Sequence, residues 1–374
     1  MESGENGSLN RSSVSKEFER HGLQRIQFGE SFPLHKVQQV RISCACPPSR
    51  RSATVLCLLT VCLVCGLCGH SDSIASATNT VLEVLRDAKR ILWIAAHPDD
   101  ENSSSALLAR GKDLSGSFFM ASLTRGENSD IVWGGLRRGS AMGAARAALF
   151  AKAAAVLKAD AYDLGPFVNG PHSLTELDAR PAEAPHQDWP PKASSSEDVI
   201  AKWKREGDPL GYMVQLLRRR RPDVVVALDD YCGGSGHPEH LAAARLLLQA
   251  IPLAADPSAY PGVGEPWHVH AVVFSAEVIP QLVACRFCKC EGSPPTIPPE
   301  EVLTVERSSA HDMTYFGVKC LVARTYQNTM ETKGSTDAEI REGCRKAETA
   351  AARAIQAGKK GNPLYESYRT RLVN

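Results

Sequence analysis

Residues 90–101 read RILWIAAHPDDE, an apolar run of strand length that ends abruptly in a histidine, a proline and three acidic residues. The run is too short for a buried helix and, from Ile91 to Ala95, has no polar position that would mark a wet face. It predicts a strand covered on both sides, as in the parallel sheet of an α/β protein. In open sheets of that kind ligands collect in the crevice outside the carboxyl ends of the strands, so His97, Asp99 and Asp100 are placed for chemistry rather than for packing. Pro98 stiffens the turn, and two adjacent carboxylates leave it in different directions, one toward a metal and one toward a water.

The same arrangement recurs further along the chain. DVVVAL at 223–228 reads as a second buried strand, and GGSGHPEH at 233–240 follows it. His237 is expected to cap a helix with Pro238 at its first position and 241–250 as its body, which leaves His240 one turn in, facing the same crevice. Gly233, Gly234 and Gly236 permit close backbone approach. Around these strands the signals alternate: a short helix at 102–110, a strand at 118–123, an alanine-rich helix at 136–157, a short strand at 162–164, a helix at 209–219, a strand at 270–274, and helices at 313–323 and 338–355. Such alternation predicts an α/β domain with parallel strands over 81–374. The Pro- and Ser-rich stretch 165–196 is too long for a plain connector and reads as a substrate-side loop or lid. The basic run at 218–221 reads as a solvated helix C-terminus favoured by the macrodipole, with a phosphate or membrane contact as the alternative.

A chain of 374 residues with 43% hydrophobic content can bury a large core. Lys+Arg 43 against Asp+Glu 42 leaves a net charge of +1, so no global field draws it toward nucleic acid, and any partner is recognised locally. Residues 1–52 mix Gly, Ser, Arg and Glu without periodicity and read as a disordered tail. The uncharged run ATVLCLLTVCLVCGLC within 53–70 follows Arg50 and Arg51, as a signal anchor or signal-peptide core does. It is shorter than the ~20 residues of a comfortable span, so a buried soluble helix stands as the alternative; as an anchor, its basic flank puts the catalytic part on the far side of the membrane. Four of the 12 cysteines, Cys57, Cys62, Cys65 and Cys68, serve in that run as small hydrophobes. Cys285, Cys288 and Cys290 lack an evident fourth ligand, which favours an oxidised surface loop over a structural zinc site.

A histidine, a carboxylate and a distant histidine form the ligand set of a catalytic zinc site with one position left open. AHPDDE at 96–101 followed by HPEH at 237–240 resembles the LmbE-like, or PIG-L, family of zinc-dependent deacetylases of N-acetylglucosamine conjugates, over roughly residues 90–250. The resemblance implies a Rossmann-like three-layer fold with a mostly parallel sheet and one zinc ion per chain. It implies that His97, Asp100 and His240 bind the metal, that Asp99 is the general base, and that His237, as an imidazolium, stabilises the oxyanion or acts as general acid. Glu101 is expected to orient a ligand histidine or the loop backbone. LTRGEN at 123–128 resembles an element that lines the sugar pocket, which makes Arg125 and Glu127 substrate contacts, with a salt-bridged turn as the plainer alternative. Arg146 stands on the long helix where family members often have an arginine, and by that resemblance it is expected to reach the same pocket. The chain departs from the pattern at Leu149, where many relatives have glutamate, and at Ser235, where some have tyrosine.

The activity so implied is removal of the acetyl group from an N-acetylglucosamine conjugate. The apolar segment fits the eukaryotic role, deacetylation of N-acetylglucosaminyl-phosphatidylinositol in GPI-anchor biosynthesis at the endoplasmic reticulum membrane. The TRGEN element lies nearer the bacterial branch, which favours an exported or organellar amidase acting on another N-acyl amino-sugar conjugate. A non-catalytic sugar- or lipid-binding relative is the third expectation, and the intact carboxylate pair speaks against it.

Overall fold

The computed structural model describes residues 80–373 apart from 130–135, 182–183, 185–188, 191–193, 277–288, 331–334 and 362. The expected tail at 1–52 and the apolar segment at 53–70 lie outside the described residues, as do Cys285 and Cys288. Among the described residues no helix is long and apolar enough to cross a membrane.

In chain order the elements are α1 (Val81–Asp87), β1 (Arg90–Ala95), a 3-10 turn at Asp100–Ser103, α2 (Ser105–Ser115), β2 (Ser117–Thr124), α3 (Ser140–Val156), β3 (Ala161–Phe167), α4 (Leu174–Ala179), α5 (Ser196–Glu206), α6 (Pro209–Arg220), β4 (Val224–Leu228), α7 (Pro238–Ala255), β5 (Ala271–Ser275), β6 (Glu300–Leu303), α8 (Tyr315–Met330), α9 (Asp337–Gln356) and β7 (Tyr365–Leu372). The seven strands form one sheet in the order β3-β2-β1-β4-β5-β7-β6. β1 to β5 run parallel, and β7 is antiparallel to both its neighbours.

The two-sided burial expected of β1 is met residue by residue. Ile91, Trp93 and Ala95 point into a core shared with α1, α2, α3, α8 and α9. Leu92 and Ile94 point into a second core beneath α5, α6 and α7. β4 alternates likewise, with Val224, Val226 and Leu228 on one side and Val225 and Ala227 on the other. Each large side chain so buried contributes roughly 1.5–3 kcal/mol, which makes these strands the rigid frame of the molecule. The result is the three-layer α/β architecture expected from the sequence.

Three expectations change. The segment after β1 first makes a 3-10 turn, and the α-helix begins only at Ser105. The stretch 165–196 includes the end of β3 and all of α4, while Ser195 closes it with a capping box that starts α5. The basic run is not a solvated terminus. Arg218 is 4% exposed, and its guanidinium donates to the carbonyls of Leu253, Ala254, Asp256, Ala259, Tyr260 and Val263, which close α7 and the turn after it. Arg219 and Arg220 both pair with Asp163. Among the described residues cysteines cross-link the domain as Cys232–Cys290 and Cys320–Cys344. The first bond commits Cys290, so the three-cysteine zinc site is ruled out and oxidation stands.

Candidate metal centre

β1 and β4 are neighbours, but the chain leaves β1 toward β2 and leaves β4 toward β5, on opposite sides. That divergence opens a crevice at their carboxyl ends, and it is there that the loops carrying AHPDDE and HPEH meet. The first loop is anchored at its base: the Ala96 carbonyl accepts from the Thr124 amide at 2.9 Å, the Thr124 hydroxyl at 2.8 Å and the Ser122 hydroxyl at 3.1 Å. The second turns on Asp229, whose carboxylate accepts the amides of Tyr231, Cys232 and Gly233 at 3.2, 2.6 and 2.7 Å. His237 then caps α7, its Nδ1 accepting the Glu239 amide at 3.3 Å, with Pro238 at the first helical position as expected.

The two loops bring His97 Nδ1 to 3.1 Å from His240 Nε2, and His240 Nε2 to 3.0 Å from Asp100 Oδ1. Each ring's other nitrogen is committed. His97 Nε2 lies 2.5 Å from Glu239 Oε2, and His240 Nδ1 lies 2.8 Å from the Gly233 carbonyl oxygen. With a hydrogen donated outward from each ring, the inward nitrogens face one another as lone pairs, an arrangement that needs a cation or a proton between them. Spacings near 3 Å are those of neighbouring ligand atoms around an ion held by bonds of about 2.0–2.1 Å. The second oxygen of Asp100 accepts the amides of Ala96 and His97 at 3.1 and 2.8 Å, which fixes the carboxylate's orientation.

Electrostatics agree. Burial by itself would lower His97, yet the Asp100 and Glu239 carboxylates outweigh it and raise the ring to about 10, so the pocket calls for positive charge. Burial would raise Asp100, but the two histidines hold it well below the ordinary carboxylate range. Glu239, with no exposed surface, is likewise opposed by burial and held far down by His97, His237 and Asn169. The donor set therefore fits a zinc ion.

His237 completes a group in which the ligand-capable atoms of His97, His237 and His240 lie within 4.8 Å of one another. Its Nδ1 lone pair is taken by the Glu239 amide, so the neutral ring carries its hydrogen on Nε2 and acts there as a donor. Burial, then His240 and His97, push its pKa well below the usual value. That contact and that direction favour a neutral ring at rest over the expected imidazolium.

Asp99 is held differently from Asp100. Its φ is 101°, a left-handed conformation that strains a non-glycine residue by roughly 1–3 kcal/mol. Its carboxylate pairs with Arg146 at 2.8 Å instead of joining the histidines, and burial, only partly offset by Arg146, raises its pKa. A half-buried carboxylate of raised pKa beside a metal position is suited to accept a proton. Glu101 has no exposed surface; it accepts the Asp99 amide at 3.1 Å and the Tyr326 hydroxyl at 2.5 Å, and burial raises its pKa to about 8. Of its two expected roles it takes the second, orienting the loop backbone.

The substrate-contact expectations divide. Arg125 is exposed at the end of β2. Glu127 is buried, its carboxylate accepting the Arg125 and Asn169 amides at 3.2 Å each, so it shapes the loop rather than facing a ligand. Arg146 reaches the site as expected, but its guanidinium is engaged by Asp99 and by the Pro98 carbonyl.

Glu239 and the three residues that donate to it escaped the sequence reading. Asn169 donates to Glu239 Oε2 at 2.7 Å, the Gly170 amide to Oε1 at 2.6 Å and Trp189 Nε1 to Oε1 at 3.0 Å. Glu239 was visible inside HPEH; Asn169 and Trp189 lie in the loop-rich stretch after β3, where no periodicity or motif marks them.

The family model described as PIG-L, GlcNAc-PI de-N-acetylase, matches residues 92–251, which include both loops. A 1D-myo-inositol 2-acetamido-2-deoxy-alpha-D-glucopyranoside deacetylase of Saccharopolyspora erythraea is 31% identical over 243 residues, covering 63% of this chain and 82% of that protein. A deacetylase named for the same compound in Streptomyces avermitilis is 26% identical over 297 residues, covering 74% and 94%. Among solved structures, the N,N'-diacetylchitobiose deacetylase of Pyrococcus horikoshii is similar with a TM-score of 0.44 and 17% identity, over 79% of this chain and 90% of that one. With the two strand-loop units matched in order and a relative 31% identical over 82% of its own length, the chain belongs to the PIG-L, or LmbE-like, family of N-deacetylases.

Proposed function

We propose that the protein is a zinc-dependent hydrolase that removes the N-acetyl group from N-acetylglucosamine joined to an inositol-type alcohol. The observation that carries this reading is the convergence of His97 Nδ1, His240 Nε2 and Asp100 Oδ1, with the Asp99 carboxylate beside them but bound to Arg146. His97, Asp100 and His240 would hold the ion. When bound, zinc acidifies a water and draws electron density from the acetyl carbonyl.

Asp99 accepts the water's proton as its oxygen bonds to the carbonyl carbon. The neutral His237 ring donates its Nε2 hydrogen bond toward the developing oxyanion. The C–N bond then breaks, the proton returns to the amine, and acetate and the free amino sugar leave. Arg125, exposed at the rim, is the contact proposed for the sugar's hydroxyls.

The substrate proposed is supported by the relatives, whose names specify N-acetylglucosamine linked to inositol. They support that compound over the glycolipid of GPI-anchor biosynthesis, and nothing in the described residues supports a membrane role. The two disulfides favour maturation in an oxidising compartment, consistent with an exported or organellar enzyme. The test is acetate release from 1D-myo-inositol 2-acetamido-2-deoxy-α-D-glucopyranoside beside N-acetylglucosaminyl-phosphatidylinositol, before and after chelation and zinc addition. Release from the first, lost to chelator and restored by zinc, is expected. No release from either with zinc present sinks the reading.

A further inference from the structure

Asp99 is the residue on which proton transfer is proposed to depend, and it sits in a backbone conformation that it does not prefer. Something must hold it there. Its carbonyl accepts the Asn102 amide at 3.1 Å and its carboxylate is taken by Arg146, both from within the family-matched segment. Its own amide points to Glu101 Oε2, and the other oxygen of Glu101 is gripped by Tyr326, 225 residues away in sequence and outside the matched segment.

Tyr326 is well fixed for that task. It is 2% exposed and lies on α8, whose Val318, Leu321 and Val322 are buried in the core. Cys320–Cys344 ties the same helix to α9, and Lys319 Nζ donates to the Ser103 carbonyl at 3.2 Å, at the far end of the same turn. α8 thus grips the loop at two points, one of them a buried carboxylate with a donor on each oxygen.

We infer that Tyr326 is a positioning residue, which through Glu101 holds the Asp99 amide and so keeps Asp99 in its left-handed conformation. The inference rests on the general-base reading of Asp99 for its effect on rate, but not for its effect on the backbone. Removing the hydroxyl leaves Glu101 buried with one donor fewer, frees it to shift, and lets Asp99 relax toward an ordinary dihedral.

The experiment compares Tyr326→Phe with Tyr315→Phe in the full chain. Both delete a phenolic hydroxyl from α8, but that of Tyr315 donates to Asp113 at 2.9 Å, away from the site. Amide hydrogen exchange over residues 96–104 is read first: Tyr326→Phe speeds exchange there and Tyr315→Phe does not. With zinc loaded and its stoichiometry unchanged, Tyr326→Phe lowers kcat about 10- to 100-fold, the range for loss of an outer partner, while KM stays within about twofold. Glu101→Gln combined with Tyr326→Phe loses no more than Glu101→Gln alone, because the hydroxyl acts only through that carboxylate. Unchanged exchange in Tyr326→Phe, equal effects of the two tyrosine variants, or additive losses in the double variant would overturn the inference. Faster exchange in a protein that releases no acetate even as wild type would leave it standing and refute the proposed function instead.

Discussion

The loop after β1 and the loop after β4 occupy equivalent places at the carboxyl end of the sheet, yet they are held by different means. The first carries its strain on Asp99 and is braced by side chains: Arg146 on the carboxylate, and Glu101 and Tyr326 on the amide. The second puts its positive φ angles on Gly233, Gly234 and Gly236, where no side chain resists them, and is tied by a covalent bond from Cys232 to Cys290. Two backbone hydrogen bonds flank that tie, the Lys289 amide donating to the Gly236 carbonyl at 2.9 Å and the Glu291 amide to the Tyr231 carbonyl at 2.8 Å. The contrast teaches a division of labour. The loop whose carboxylate is proposed to move a proton is fixed by hydrogen bonds that also set its electrostatics, whereas the loop that supplies His237 and His240 needs only to be kept in place.

The largest effect should separate base from ligand. Asp99→Ala is expected to lower kcat by about 10²- to 10⁴-fold with zinc retained, whereas His240→Ala is expected to strip the metal; kinetics beside metal analysis decide. An Asp99→Ala protein that loses its zinc would move that residue into the ligand set and erase the distinction between the carboxylates.

Next is the covalent tie. Paired Cys232→Ser and Cys290→Ser changes remove a cross-link spanning 58 residues, which chain entropy values at about 4 kcal/mol, read as a lower denaturation midpoint. Zinc affinity should fall with it, while hydrogen exchange in the 96–104 loop stays as in wild type. Faster exchange in both loops would show that the centre is one mechanical unit rather than two.

Gly236→Ala should follow. Its φ is +74° and an added Cβ would lie 2.7–3.0 Å from the backbone of Lys289, so the loop or the Lys289 segment must shift. The left-handed conformation by itself costs about 1–2 kcal/mol in a side-chain-bearing residue. A midpoint within error of wild type would show that the Lys289 segment yields freely and that the glycine is not required there.

The smallest effect serves as a control far from both loops. Asp113 accepts the Ser308 hydroxyl, the Ser309 and Ala310 amides and the Tyr315 hydroxyl; burial opposes its charge, but these donors hold its pKa below the ordinary value. A carboxyl depressed in the folded state contributes stability that is present above the unfolded pKa of about 4 and lost as pH falls through the folded one. Asp113→Asn should therefore flatten the decline in urea midpoint below about pH 4 without changing activity at neutral pH. An unchanged acid limb would exclude Asp113 as a contributor.

The frame and the chemistry of the centre were legible because they are local. RILWIA and DVVVAL announce two-sided burial by the absence of polar positions, and each is followed within a few residues by the groups that meet in the crevice. β7 was not legible, because Glu366 interrupts its pattern with a charge. That charge is buried and matched by the Ala106 and Leu107 amides at the start of α2 and by Lys319, none of them near in sequence. Arg218 misled for the same reason: a basic run looks solvated until the carbonyls that surround it are known.

By itself, then, the sequence determined the α/β class, the two loops, and the residues proposed to hold the metal and to act as base, since hydrophobic period and motif spacing are properties of neighbours along the chain. Only the tertiary structure decided which partners hold those residues: Glu239 and Asn169 on His97, Arg146 on Asp99, Tyr326 on Glu101, and Cys290 on Cys232. Hydrogen bonds and disulfides require atoms within a few ångströms, and for groups 47 to 225 residues apart that proximity is set by how the sheet and helices pack, which no local pattern records.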